Sequence, residues 1–161
     1  MRYWLDTEFI EDGKTIDLIS IGIVAEDGRE FYAENRDCKL DRASEWVKAN
    51  VMPHLVGGDK THPRASIALG VQVFCDPERN GKPEFWGYYA DYDWVAICQL
   101  FGTMMDLPKG WPMYCRDIKQ WCDDLGNPKL PEQDKGEHHA LADARWNLTA
   151  WQFLLDRAKA S

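Results

Sequence analysis

Apolar and β-favouring side chains crowd residues 2–10 (RYWLDTEFI) and again Ile16–Ala25, with the polar stretch Glu11-Asp12-Gly13-Lys14 between them. This pattern predicts a hairpin at the start of the chain. A third strand is expected over Arg29–Ala33, after the Asp27-Gly28 turn. The spacing then changes to that of helices over Arg42–Met52 and Arg64–Cys75, the latter placing Ile67, Ala68, Val71 and Phe74 on one face. Phe85–Ala90 reads as a short buried strand, and Trp94–Phe101 as a helix capped by Asp93 and closed by Gly102. Asp117–Leu125 predicts a further helix. Ala140–Ala158 predicts a long one, with Leu141, Ala144, Leu148, Trp151 and Leu155 at steps of three and four. Loops are signalled at Gly57-Gly58, Asp76–Pro83, Pro108–Pro112 and Gly126–Gly136. Three early strands followed by strand and helix alternation predict an α/β domain with a mixed central sheet flanked by helices.

With 161 residues, 45% of them hydrophobic, the chain is expected to form a single domain, residues 1–161, burying about 70% of its unfolded surface. No apolar run approaches the roughly 20 residues of a membrane span, and Met1-Arg2 leads directly into a β-like segment, so a cytoplasmic protein is expected. Five cysteines without a C-x-x-C pair suggest reduced thiols rather than a disulfide framework or zinc ribbon. The formal net charge of −8 argues against holding long duplex DNA by phosphate neutralisation alone.

That acidity acquires a chemical meaning at Asp6-Thr7-Glu8. Side chains alternate along a strand, so Asp6 and Glu8 share a face, flanked by Trp4 and Ile10. Two carboxylates 4 Å apart repel by about 4 kcal/mol at an effective dielectric near 20, so such a pair must gain a cation, gain a proton or lean into water. A second D-x-E, Asp76-Pro77-Glu78, falls in a Pro- and Gly-rich loop where solvation suffices.

A second candidate lies at His138-His139-Ala140-Leu141-Ala142-Asp143. Five residues at 100° each leave His138 and Asp143 about 140° apart on a helix, so to share a site His138 must precede the helix. An imidazole with a pKa near 6.5 is suited to accept a proton from water at neutral pH. The same spacing at His54–Asp59 is interrupted by Gly57-Gly58 and reads as loop. The third candidate is Asp93, at a junction between strand and helix where carboxylates on adjacent strands converge; Asp91 competes with it, and helix capping is its bland alternative.

Together these residues resemble the DEDD exonucleases that carry a histidine in the third motif. The strings DTEFIEDG, EFWGYYADYDWVAICQLFG and HHALADARWN are similar to the small 3′-to-5′ exoribonucleases typified by mycobacterial ribonuclease AS, over most of the chain. The resemblance implies a ribonuclease H-like fold. It further implies that Asp6, Glu8, Asp93 and Asp143 hold two divalent cations, Mg2+ or Mn2+, with His138 as general base. Homodimerisation is expected on the same ground. Tyr89 stands where many such proteins have Asn, and Phe9 where a second Thr often follows the Glu.

The expected substrate is a single-stranded RNA 3′ end, whose terminal bases are free to stack on aromatic side chains. Phe9, Tyr89, Trp86 and Trp94 are candidates for such contacts, with core packing as the alternative, and Arg145 is a candidate phosphate ligand or a surface ion pair. A proofreading-type DNA exonuclease and a non-catalytic nucleic-acid-binding module are the competing functions. A metal-free two-carboxylate hydrolase leaves the other two acids and His138 unexplained.

Overall fold

The computed structural model describes residues 1–133 and 136–160. Six strands form one mixed sheet in the order β4-β3-β2-β1-β5-β6. The strands are β1 (Arg2–Glu11), β2 (Ile16–Ala25), β3 (Glu30–Asn35), β4 (Thr61–His62), β5 (Glu84–Gly87) and β6 (Arg116–Asp117). β1, β2 and β3 pair antiparallel, whereas β5 joins β1, and β6 joins β5, in parallel. The helices are α1 (Glu45–Asn50), α2 (Arg64–Phe74), α3 (Pro77–Asn80), α4 (Asp91–Phe101), α5 (Ile118–Asp124) and α6 (Ala140–Ala160). No helix among the described residues is long and apolar enough to cross a membrane.

The two faces of β1 organise the packing. Tyr3 and Leu5 enter a core with Ile67 and Val71 of α2, Phe85 of β5, and Trp94 and Ile97 of α4. On the opposite face Trp4 packs with Ile118 of α5 and with Trp151 and Leu154 of α6. Farther along that face, Ile10 meets Ile19, Ala43 and Val51 beside α1. Asp6 and Glu8 lie between Trp4 and Ile10, in the gap that α6 and α1 leave between them.

Glycine at position 22 decides how closely α6 approaches. Gly22 pairs with Asp6 across β1 and β2. A Cβ there would stand 2.4 Å from the backbone of Ala140 and Leu141 at the start of α6. The bare strand thus lets the helix backbone touch the sheet beside Asp6. Farther along α6, the buried Asn147 donates through Nδ2 to the Leu5 carbonyl at 2.8 Å, tying the helix to β1.

Several boundaries differ from the sequence expectation. The helix expected over Arg42–Met52 is shortened to α1, flanked by 3-10 turns at Leu40–Arg42 and Met52–His54; the Ser44 side chain caps its start, and Pro53 lies in the second turn. β5 stops at Gly87 rather than Ala90, because Tyr89 adopts a left-handed φ of 55° in the turn to α4. Asp93 is not the cap of α4. The helix starts at Asp91, and the Asp93 carboxylate is turned to β1 instead. The two-residue strands β4 and β6 are too short to leave a periodic signal. The loop expected over Gly126–Gly136 includes residues 134 and 135, which lie outside the described residues.

Gly22→Ala is expected to destabilise the protein by about 1–3 kcal/mol, the usual range for overpacking, lowering the melting temperature by about 3–10 °C. Thermal unfolding followed by circular dichroism measures this; an unchanged melting temperature would show that the close approach is unimportant.

Candidate active site

The gap between α1 and α6 holds a close group of carboxyls. Asp6, Glu8 and Asp143 each offer an oxygen within 4.8 Å of the others, a spacing that suits a shared cation. Asp93 lines the same cleft, of about 280 Å³, with Thr7, Phe9, Trp46, Val51 and His138. An adjoining hollow of about 180 Å³ shares Asp6, His138 and Asp143, and is walled by Tyr88, Gln133, Trp146 and Asn147.

Each acid is held by a different local device. Asp6 and Glu8 follow from strand alternation on β1. The Asp93 Oδ1 atom accepts from the Thr7 backbone N–H at 2.7 Å and from the Thr7 hydroxyl at 2.6 Å. β5 pairs with β1 only as far as Trp4, so this carboxylate satisfies an edge donor that no strand reaches. Asp117 steadies the preceding turn: its Oδ2 accepts from Ala90 N–H at 2.7 Å while its Oδ1 caps α5 at Gln120. Asp143 sits in the first turn of α6, where its carboxylate accepts from the His138 N–H at 2.9 Å and from the Gln133 side chain.

His138 stands before α6 with a left-handed φ of 68°, and its ring meets Trp46 edge-on at 4.8 Å. His139 is turned the other way. Its ring stacks on Tyr32 at 4.5 Å, and its Nδ1 accepts from the Ala142 N–H, a capping role.

Burial opposes ionisation throughout the cluster, and repulsion among its members adds to this at Asp6 and Glu8. Burial, then the charges of Asp93, Asp143 and Glu8, hold the Asp6 carboxyl well above the usual carboxylate range. Glu8 is pushed up to about 8 by burial and next by Asp143. Asp93 rises to about 6 through burial, against the lowering effect of its Thr7 hydrogen bonds. Burial also raises Asp143, opposed by Gln133 and the His138 N–H. No Lys or Arg is among the described residues lining either hollow. The donor set is hard carboxyl oxygen held close together, which fits divalent cations of the Mg2+ or Mn2+ type.

The other residues singled out from sequence fall in different places. Phe9 lines the cleft and stacks on Tyr92 at 5.8 Å. Tyr89 is 63% exposed and touches Tyr88, outside the cleft lining. Trp94 is buried against Phe85 and donates to the Met113 carbonyl; Trp86 packs beside Trp121. Arg145 forms a two-pronged pair with Glu30 at 2.7 and 2.6 Å, the surface-bridge alternative. Asp76 caps α3 in its loop.

Sequence reasoning missed Trp46, Gln133, Asn147, Asp117 and Gly22. A lone glycine within the apolar run ISIGIVA is a legible sign of close backbone approach, and Asn147 follows Asp143 by one helical turn. Gln133, Asp117 and Trp46 left no comparable signal.

This arrangement, a mixed sheet with carboxyls from β1, α4 and α6 around one cleft, defines a ribonuclease H-like exonuclease fold. Two solved structures share it. One, described as "3′-end specific recognition of histone mRNA stem-loop by 3′-exonuclease", has a TM-score of 0.57 at 13% identity, covering 96% of this chain and 63% of that one. The other, a full-length 3′-exonuclease, has a TM-score of 0.54 at 12% identity, covering 96% and 81%. The family of 3′-5′ exoribonuclease Rv2179c-like domains matches residues 1–155. Two Mycobacterium tuberculosis proteins, 3′-5′ exoribonuclease Rv2179c of strain H37Rv and 3′-5′ exoribonuclease MT2234.1 of strain CDC 1551, are 42% identical over 156 residues, 96% of this chain and 93% of each relative. The chain belongs to the Rv2179c-like 3′-5′ exoribonuclease family and is an enzyme of the exonuclease class.

The raised carboxyls set a pH dependence. Without a cation the fold retains protons that the unfolded chain releases above the ordinary carboxylate range. Stability is then greatest at acidic pH and declines as pH rises from about 4.5 through the Glu8 value of about 8. In EDTA the melting temperature is expected to fall between about pH 5.5 and about pH 8, and Mg2+ or Mn2+ to raise it more at the higher pH. An equal gain at both pH values would contradict a cation held by these acids.

Proposed function

We propose that this protein removes nucleotides from the 3′ end of single-stranded RNA, releasing nucleoside 5′-monophosphates, with two divalent cations held by Asp6, Glu8, Asp93 and Asp143. The observation that carries the reading is the convergence of Asp6, Glu8 and Asp143 within 4.8 Å, beside Asp93 in the same cleft. The family membership supplies the reaction class.

Bound cations would neutralise the phosphodiester, lower the pKa of an attacking water and stabilise the leaving 3′ oxygen. The chain's own residues perform the remaining work. Asp6 and Asp143 each line both hollows, and Asp6, on the strand between them, would be the carboxylate shared by the cations. Glu8 and Asp143 would hold one cation with it, and Asp93, kept in place by Thr7, would hold the other. His138 removes the proton from the attacking water, its ring suspended at the mouth of α6 rather than locked within a helix. Phe9 offers an apolar face beside the acids, and Tyr89 an exposed ring farther along the surface.

The main alternative is a DNA exonuclease with the same acids and base. The buried acids and their cations act on the phosphate, which RNA and DNA share, whereas discrimination depends on contacts to the 2′-hydroxyl.

End-labelled RNA and matched DNA oligonucleotides, incubated with Mg2+, Mn2+ or EDTA, test the reading. Metal-dependent shortening of RNA from the 3′ end is expected; equal cleavage of DNA would overturn the substrate assignment, and loss of neither polymer would overturn the activity. Asp6→Ala is expected to abolish turnover, and His138→Ala to lower it by roughly 100-fold or more. Undiminished activity in either variant would remove that residue from the mechanism.

A further inference from the structure

Two adjacent histidines leave the mouth of α6 in opposite directions, and the reaction uses only one of them. His138 lines both hollows, whereas His139 is not among the described residues lining either. The divergence depends on the left-handed φ of 68° at His138, a conformation that residues with a Cβ disfavour. Contacts on both sides must hold it there. The His138 N–H donates to Asp143 Oδ2 at 2.9 Å, and the backbone that follows is fastened through His139.

His139 has two attachments of different kinds. As the residue before α6, it accepts at Nδ1 from the Ala142 N–H at 3.4 Å, a long capping bond. Its ring also lies nearly parallel to that of Tyr32, with 17° between the planes and the centroids 4.5 Å apart. Tyr32 occupies the same row of the sheet as Asp6, with Gly22 between them. Because the helix backbone comes against that glycine at Ala140, the preceding residue is delivered over the Tyr32 ring.

Tyr32 is itself immobilised. Its hydroxyl donates to Glu34 Oε1 at 2.8 Å. The buried Glu34 carboxylate also accepts from the Gly57 N–H at 2.9 Å and the Thr61 hydroxyl at 3.3 Å, which ties the Tyr32 ring to the loop that leads into β4. Tyr32 and Glu34 are likewise absent from the described linings of the two hollows, so any part they play in the reaction must pass through another residue.

We propose that Tyr32 and His139 are positioning residues for His138: their stacked rings fix the backbone at the start of α6 and so keep the His138 imidazole turned into the acidic cleft. This rests on the reading of His138 as general base. The capping bond serves the stability of α6, and the stack serves the aim of His138.

The test separates stack from cap. His139→Asn retains a capping oxygen but no ring, His139→Phe retains a ring but no acceptor, and Tyr32→Leu removes the stack from the other side while leaving an apolar group. On RNA at saturating Mg2+, His139→Asn and Tyr32→Leu are each expected to lower kcat about ten-fold with KM within about two-fold of wild type. His139→Phe should keep kcat within about two-fold while melting at a lower temperature. In a His138→Ala background, His139→Asn should lower kcat no further. Metal-free 1H–13C spectra of the histidine rings give a readout independent of turnover. The His138 signal, assigned by its loss in His138→Ala, is displaced by the ring current of Trp46, 4.8 Å away. That displacement should vanish in His139→Asn and persist in His139→Phe. A full further loss of kcat on adding His139→Asn to His138→Ala, or an unchanged His138 signal in His139→Asn, would overturn the proposal. A raised Mg2+ requirement in Tyr32→Leu at unchanged kcat would overturn it in favour of an action on Glu8. Undiminished turnover in His138→Ala would instead remove the general-base reading, and the His138 signal in His139→Asn would still decide whether the stack aims the ring.

Discussion

Unbalanced negative charge in a half-closed gap is the constraint around which this molecule is arranged. Asp6, Glu8 and Asp143 converge within 4.8 Å; burial raises the proton affinity of all three, and repulsion by neighbouring carboxylates adds to it at Asp6 and Glu8. Such a cluster persists only because rigid neighbours hold it. Asp6 and Glu8 are fixed by a strand paired on both sides, with β2 on one edge and β5 on the other. α6 is brought against that strand by the missing side chain at Gly22 and secured by Asn147 on the Leu5 carbonyl. Thr7 supplies Asp93 with two donors, and the His138 N–H and Gln133 supply Asp143. These neutral hydrogen-bond donors favour the ionised carboxylates without adding a competing cation, leaving the charge available to metal ions.

The gap itself follows from how β1 is covered. Trp4 and Ile10, six residues apart on one face, are each buried beneath helical segments, but the two coverings do not meet. The acids between them therefore lie deep enough to be partly desolvated and still open to a ligand. Aromatic rings line this opening, Phe9 and Trp46 on one side and Tyr88 and Trp146 on the other. Their surfaces suit a ligand that is anionic at one end and flat and apolar at the other, as a nucleotide is.

The sequence made the main components of the site legible because each has a local signature. Strand alternation places Asp6 and Glu8 together, helical geometry requires His138 to precede α6 if it is to join Asp143, and the apolar periodicity of α6 matches a real helix. Asp93 was legible as an acid at the junction of β5 and α4, but its partner was not. Capping is the usual local role of such an acid, whereas the Thr7 donors it meets are 86 residues away in the chain. Trp94 shows the converse. Its aromatic ring made it a candidate base contact with core packing as the alternative, and Phe85 and the Met113 carbonyl draw it into the core.

By itself, the sequence determined the four longer strands and the long helix, the types of residue that carry the chemistry, and the charge that such chemistry leaves to be balanced. These depend on periodicity and composition, which act over a few residues. Only the tertiary structure decided the distances among the acids, the pairing of Arg145 with Glu30, and the place of Trp46 in the cleft that Asp143 also lines. Those outcomes depend on which elements cover which part of β1 and on how closely a helix backbone approaches a glycine. Such contacts join residues distant along the chain, and no local pattern encodes them.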